Sequence, residues 1–170
     1  GFECQGVALF NDRVFTSGTG DGMKVVDVVH PDATALTATF TTAGFTANDM
    51  VVRDGLGYIA HGGGGLQIVD LADPDAPTTV GTVATLNSAV EIEFFGDDAV
   101  VVCDLSDALH VIDIGDPTAP AIVGTLALPE IPSGLAVATS AQQAYVSMNW
   151  GGVKIIDLSD PANPTEMYEI

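Results

Sequence analysis

Gly152-Val-Lys-Ile-Ile-Asp157, with Leu-Ser-Asp-Pro161 after it, is the last of four copies of one pattern. The earlier copies read Gly22-Met-Lys-Val-Val-Asp27, Gly65-Leu-Gln-Ile-Val-Asp70 and Ala108-Leu-His-Val-Ile-Asp113, at successive offsets of 43, 43 and 44 residues. Working outward, a proline follows each Asp at one distance (Pro31, Pro74, Pro117 and Pro161). A second proline recurs three residues later at Pro77, Pro120 and Pro164, where the first copy has Thr34. Phe15, Tyr58, Val101 and Tyr145 stand seven residues before each Gly or Ala. Self-similarity at this period marks a chain built from stacked supersecondary units. The one extra residue is expected near Pro129–Pro132, a loop by its composition.

Each unit reads as four short strands. In the second, Asp49–Arg53 is a first strand, Asp54-Gly55 a turn, Tyr58–Ala60 a second strand, and Gly62–Gly65 another turn. Leu66–Leu71 is a third strand broken by Asp73-Pro74, and Thr78–Ala84 is the fourth and outermost. Val, Ile, Tyr, Phe and Thr fill these segments, and no segment carries a capped helical period. The third strand is apolar on both faces: Leu66 and Ile68 share one side, Val69 and Leu71 the other. A sheet with one wet face would alternate, so each small sheet is expected to lie between two others. Four-stranded sheets at this period, buried on both faces, predict an all-β fold: a β-propeller of four-stranded antiparallel blades, four repeats in this chain. The repeats span about 1–43, 44–86, 87–130 and 131–170, as one propeller-type domain or part of a propeller.

Leu66-Gln-Ile-Val-Asp70, Val153-Lys-Ile-Ile-Asp-Leu-Ser-Asp-Pro161 and the Val-Gly-Thr after the second proline resemble LVIVD repeats. That resemblance covers essentially the whole chain and implies a propeller-forming unit in bacterial and archaeal surface or secreted proteins. It implies no catalytic residues. The first repeat departs most: His30 replaces the second Asp, and its fourth strand, Ala35–Phe40, lacks the Val-Gly pair.

Charge excludes whole classes of partner. The 170 residues hold 23 Asp and Glu against Arg13, Lys24, Arg53 and Lys154, a net charge of −19. Such a surface repels nucleic-acid phosphates and anionic membranes, favours solvation, and suits a salty medium. No apolar run approaches the ~20 residues of a membrane-spanning helix, so no membrane insertion is expected. The sequence shows no signal-peptide pattern and no initiator Met, so it is expected to be a processed product or an excised piece. With the resemblance, the expected location is extracellular, cell-surface or periplasmic.

Several residues invite a chemical role. Asp27, Asp70, Asp113 and Asp157 recur with Asp32, Asp73, Asp75, Asp116 and Asp160 nearby, and carboxylates attract calcium. The Asp-x-x-Asp-Pro spacing is instead what turns need, since Asp accepts the N–H two residues on. The glycine run after His61 leads into a strand and lacks the lysine of a phosphate loop. First strands line a propeller's channel, where Gln5, Asn48, Asp49, Glu91 and Glu93 are candidate ligand-binding residues. His30, His61 and His110 occupy different repeat positions and form no zinc motif. Seven serines, Ser17, Ser88, Ser106, Ser133, Ser140, Ser147 and Ser159, sit in no nucleophile elbow. Trp150, in the turn Met-Asn-Trp-Gly-Gly, is expected to pack on the next blade; the alternative is a binding anchor at the surface. Cys4 and Cys103 fall two blades apart and are expected to be free, buried thiols.

The expectation is therefore a non-catalytic binding or scaffold module for a protein or small polar ligand, with no cofactor beyond weak calcium binding. The alternative is a propeller hydrolase, lactonase- or phosphatase-like, with a metal in the channel. Four repeats would close alone, join a second copy as an eight-bladed ring, or form part of a larger ring.

Overall fold

The computed structural model describes residues 4–18, 22–29, 31–41, 46–85, 87–105 and 108–170; His30, Ser106 and the centre of the Gly18–Gly22 turn lie outside them. The described chain is four antiparallel sheets of four strands in sequence order. Blade 1 holds β1 (Cys4–Phe10), β2 (Arg13–Gly18), β3 (Gly22–Asp27) and β4 (Ala35–Phe40). Blade 2 holds β5 (Asp49–Arg53), β6 (Leu56–Ala60), β7 (Leu66–Asp70) and β8 (Thr78–Val83). Blade 3 holds β9 (Ala89–Phe95), β10 (Ala99–Asp104), β11 (Ala108–Asp113) and β12 (Ala121–Ala127). Blade 4 holds β13 (Pro132–Ala138), β14 (Gln143–Met148), β15 (Val153–Asp157) and β16 (Thr165–Glu169). The helical residues described are two single 3-10 turns, Pro31–Ala33 and Thr139–Ala141. Ala35–Phe40 is a paired strand even without the Val-Gly dipeptide.

The repeated aspartates make turns, as their spacing predicts. Asp27, Asp70, Asp113 and Asp157 each accept the N–H two residues on, at 2.9, 2.7, 2.8 and 2.8 Å. Asp73, Asp116 and Asp160 repeat the device at 3.1, 2.9 and 3.1 Å. Each outermost strand then carries a bulge: Thr37, Val80, Val123 and Met167 have no partner in the ladder beside them. Just past the bulge, Gly81 and Gly124 lie so close to the next blade that a Cβ would stand 2.2 Å from the Pro117 carbonyl oxygen and 2.0 Å from that of Pro161.

The extra residue of the fourth repeat is not near Pro129–Pro132. The first hairpin of a blade has a two-residue loop in blades 1 and 2, three residues in blade 3 and four in blade 4. Gln142, left-handed at φ 53°, closes the 3-10 turn that takes up the addition. The blade 3 insertion is offset by one residue fewer in the connector before β9, which leaves the third strands at their offset of 43.

Three apolar layers join the four blades. Phe15, Met23 and Val25 meet Met50, Ile59 and Val69 between blades 1 and 2. Tyr58, Leu66 and Ile68 meet Ile92, Val100 and Ile112 between blades 2 and 3. Val101, Leu109 and Val111 meet Val146, Ile156 and Leu158 between blades 3 and 4. First strands pack on first strands, β1 on β5, β5 on β9 and β9 on β13, so they form the inner wall; β13 and β1 make no matching approach among the described residues. Burial on both faces of the third strand holds for β7 and β11 but not for β3 and β15, which alternate. The described residues form an open arc rather than a closed ring. Val7 and Leu9 on its first outer face are 66% and 69% exposed, and Tyr168 on its last is 65% exposed.

Both cysteines are free, but only Cys103 is buried; Cys4 is exposed because β1 has no neighbouring blade on its outer side. Burial first, then the charges of Glu91 and Asp104, push the Cys103 thiol well up. A thiol reagent should therefore titrate one group per native chain and two after denaturation; two fast-reacting groups in the native protein would contradict the packing of blade 3.

Candidate functional site

The inner wall brings together three of the five channel candidates, Asn48, Asp49 and Glu91. Strand pairing makes Gly6, Asp49, Glu91 and Gly134 equivalent, opposite Ser17, Ala60, Cys103 and Ser147. Gly6, Asp49 and Glu91 face the next blade, and Gly134 faces the open outer side of blade 4. A first strand is the inner edge of its sheet, so half of its backbone groups need partners from elsewhere. Asp49 supplies some: Oδ2 accepts the Ile92 N–H of blade 3 at 3.1 Å, and Oδ1 accepts the Met50 N–H at 2.8 Å. Asn48 Nδ2 donates to the Ala89 carbonyl at 2.6 Å. Asn48 and Asp49 thus latch blade 2 to β9. Gly6 leaves room for the carboxylate, since a Cβ there would lie 2.8 Å from Asp49 Oδ1 and 2.6 Å from Ser17 Oγ. Ser17 Oγ is buried with no protein hydrogen bond.

Glu91 stands beside this latch. Burial raises the Asp49 carboxyl above the ordinary carboxylate range, opposed by the Ile92 and Met50 donors. Burial and then the charge of Asp49 raise Glu91. Glu93 lies two residues along β9, where its Oε2 accepts the Phe94 N–H at 3.1 Å, and Gln5 is exposed at the β1 bulge. Neither joins the Asp49–Glu91 pair. Among the described residues no three His, Cys, Asp or Glu side chains form a metal-ligand group.

The raised Glu91 carboxyl has a readable consequence. A carboxyl whose folded pKa exceeds its unfolded value costs the folded state nothing below the unfolded value, and the cost grows as pH rises through the folded one. Glu91→Gln should therefore stabilise the protein at pH 7, a gain that vanishes below about pH 4, where the carboxyl is protonated in both states. Melts at both pH values check it; a loss at pH 7 would show that Glu91 makes an attractive contact as an anion.

A buried polar column went unnoticed in the sequence. Lys24, Gln67, His110 and Lys154 are equivalent positions of the third strands, the last three buried. His110 Nε2 lies 3.0 Å from Asp104 Oδ2, and its Nδ1 is 3.0 Å from Thr125 Oγ1. Gln67 donates to Thr79 Oγ1 at 3.0 Å, and Lys154 holds Glu166 at 2.9 Å together with Glu169. The signal was available: one polar residue at a fixed place in an otherwise apolar strand.

Trp150 does not pack on a blade. It is 92% exposed at the tip of the β14–β15 turn. The turn is held by Met148 N–H to Gly152 O at 2.8 Å and Asn149 N–H to Ile131 O at 3.2 Å, which brings the half-exposed Ile131 alongside.

The LVIVD-repeat profile matches residues 44–85, 97–127 and 136–170. The chain belongs to the LVIVD-repeat family. The three matched segments of this LVIVD-repeat chain fall in blades 2, 3 and 4; the unmatched first repeat is the one with Thr34 and Ala38 in place of proline and glycine. No curated protein matches the chain. Solved structures show the same architecture. A protein from Lactobacillus plantarum matches over 98% of this chain and 55% of its own at 16% identity and a TM-score of 0.83. A functionally unknown protein from Desulfotomaculum acetoxidans matches over the same shares at 10% identity and 0.79. The computationally designed Ika4 protein matches over 90% of this chain and 89% of its own at 12% identity and 0.73. The LVIVD-repeat chain thus spans just over half the length of the first two. No helix described is long and apolar enough to cross a membrane.

Proposed function

We propose that this chain is a non-catalytic binding or scaffold module of a surface or secreted protein, and that it engages a protein partner through the Trp150 turn. The carrying observation is the indole at 92% exposure, in a turn fixed by two backbone hydrogen bonds. Tryptophan is the most enriched anchor of protein interfaces, and a rigid one loses little entropy on docking. The net charge of −19 favours a partner with a basic rim around an apolar pocket. Trp150 is the chain's one tryptophan, so its fluorescence reports contact directly. Peptides selected on the native protein from a displayed library should blue-shift that emission and bind Trp150→Ala at least tenfold more weakly. Selected binders that hold Trp150→Ala equally well would overturn the proposal.

The Asp49–Glu91 pair beside Ser17 favours a second reading, in which a cation sits at the inner wall. Asp49 already spends both oxygens on N–H donors, which supports no more than weak calcium binding. Elemental analysis and melts with calcium or chelator test it: stoichiometric zinc, iron or copper would promote the hydrolase alternative.

A further inference from the structure

We infer that the two outer faces of the arc join to each other between two copies of this chain, closing an eight-bladed ring with a two-fold axis. The faces are continuations of interfaces already built. Val7, Leu9 and Val26 on blade 1 hold the positions of Met50, Val52 and Val69, which blade 2 buries against blade 1. Tyr145, Val153 and Ile155 on blade 4 hold the positions of Val101, Leu109 and Val111, which blade 3 buries against blade 4. Each end therefore presents the half of a layer that the other end lacks. In a chain of net charge −19, the strands of blade 1 put no carboxylate on this face, only Lys24. Blade 4 puts one, Asp157, at the rim, where it already holds the Ser159 N–H. A shallow groove lined by Gly134, Ala136, Tyr145 and Val153 runs across the blade 4 face.

The irregularities of the repeat point to the same pairing. At two of the three inner joints, Gly81 faces the turn with Pro117 and Pro120, and Gly124 faces the one with Pro161 and Pro164; Ala38 holds the place at the third. The equivalent residue of blade 4 is Tyr168, far larger, and the equivalent turn of blade 1 has Thr34 where the crowding second proline would be. A large residue and an open turn fall on the two surfaces that would meet. The arc leaves its ends apart, so one chain does not bring them together. A head-to-tail contact repeated once closes if two copies complete the circle, and eight blades lie within the size range of propellers.

Light scattering behind size exclusion tests this on the chain itself, at low salt and at about 1 M salt, where repulsion between acidic copies is screened. The expected mass is about twice 17.4 kDa. Leu9→Asp and Tyr168→Asp, both at exposed positions, should each give a monomer whose circular dichroism is unchanged. Mixing the two variants should restore a dimer, because the mixed pair keeps one joint with neither substitution. A monomer at both salts would overturn the inference. So would a larger head-to-tail assembly, or a dimer lost with one variant and kept with the other.

Discussion

Gly124→Ala is expected to cost the fold about 3 kcal/mol or more, although it adds one methyl group to an outer strand. The new Cβ would stand 2.0 Å from the Pro161 carbonyl oxygen and 3.0 Å from Pro164 Cδ. That carbonyl belongs to a turn pinned by Asp157 and Asp160, each accepting a backbone N–H, so it has little freedom to retreat. Relief must come from parting blades 3 and 4, which opens the layer around Leu109, Val111 and Ile156. Overpacking commonly costs about 1–3 kcal/mol, and more where the obstacle is backbone. Gly96→Ala is the control. Gly96 has φ of 68° but nothing within 4 Å of its Cβ, so only the left-handed strain of about 1–2 kcal/mol is charged. Gly124, by contrast, is not among the positive-φ glycines, so its substitution reports steric approach alone. Denaturant melts that rank Gly96→Ala as the more harmful would refute the close approach. Ala38 holds the equivalent place in blade 1, so the joint between blades 1 and 2 accommodates a methyl there.

His110→Leu should be the second severe change. It removes the His110 Nε2 contact at 3.0 Å from Asp104 Oδ2, a side chain that is fully buried. Removing one partner of a buried hydrogen bond to a carboxylate costs about 3 kcal/mol. For a domain this size that corresponds to a fall of roughly 10 °C in melting temperature. His110→Gln keeps a donor at a position where Gln67 already serves in blade 2, and should lose less than half as much. Equal losses for Leu and Gln would mean that shape rather than the Asp104 contact matters at this position.

The sequence disclosed the blade because its third strand obeys two constraints at once, apolar contact on both faces and an Asp turn at its end. The Asp turn recurs in all four repeats, and the apolar pattern recurs with it, although burial on both faces is completed only in β7 and β11. Loops obey weaker constraints. The added residue was expected at Pro129–Pro132 because prolines suggest a loop, whereas it lengthens the Thr139–Gln142 turn. The equivalence of Glu91 with Asp49 was hidden for a related reason: an insertion in one hairpin and a deletion in the connector before it cancel when offsets are measured on third strands. The inner-wall position of Asn48 and Asp49 was legible, but their hydrogen bonds to the β9 backbone were not, since composition does not show which edge groups lack partners. Trp150 was placed in its turn but not at the surface. Exposure depends on whether a neighbour covers the turn, and the sequence of one blade does not contain that information.

The bulge in each outermost strand has a use beyond shaping the blade. A blade leaves its last strand with a free edge, and a long regular edge templates growth by adding strands from other molecules. β16 is exposed along its whole length, yet Met167 breaks its ladder and Glu166 and Glu169 flank the break. A foreign strand arriving there would meet a kinked register and two carboxylates. Deleting Met167 would straighten the rim into a seed for fibrils, so the bulge keeps a β-rich chain from polymerising through its own periphery.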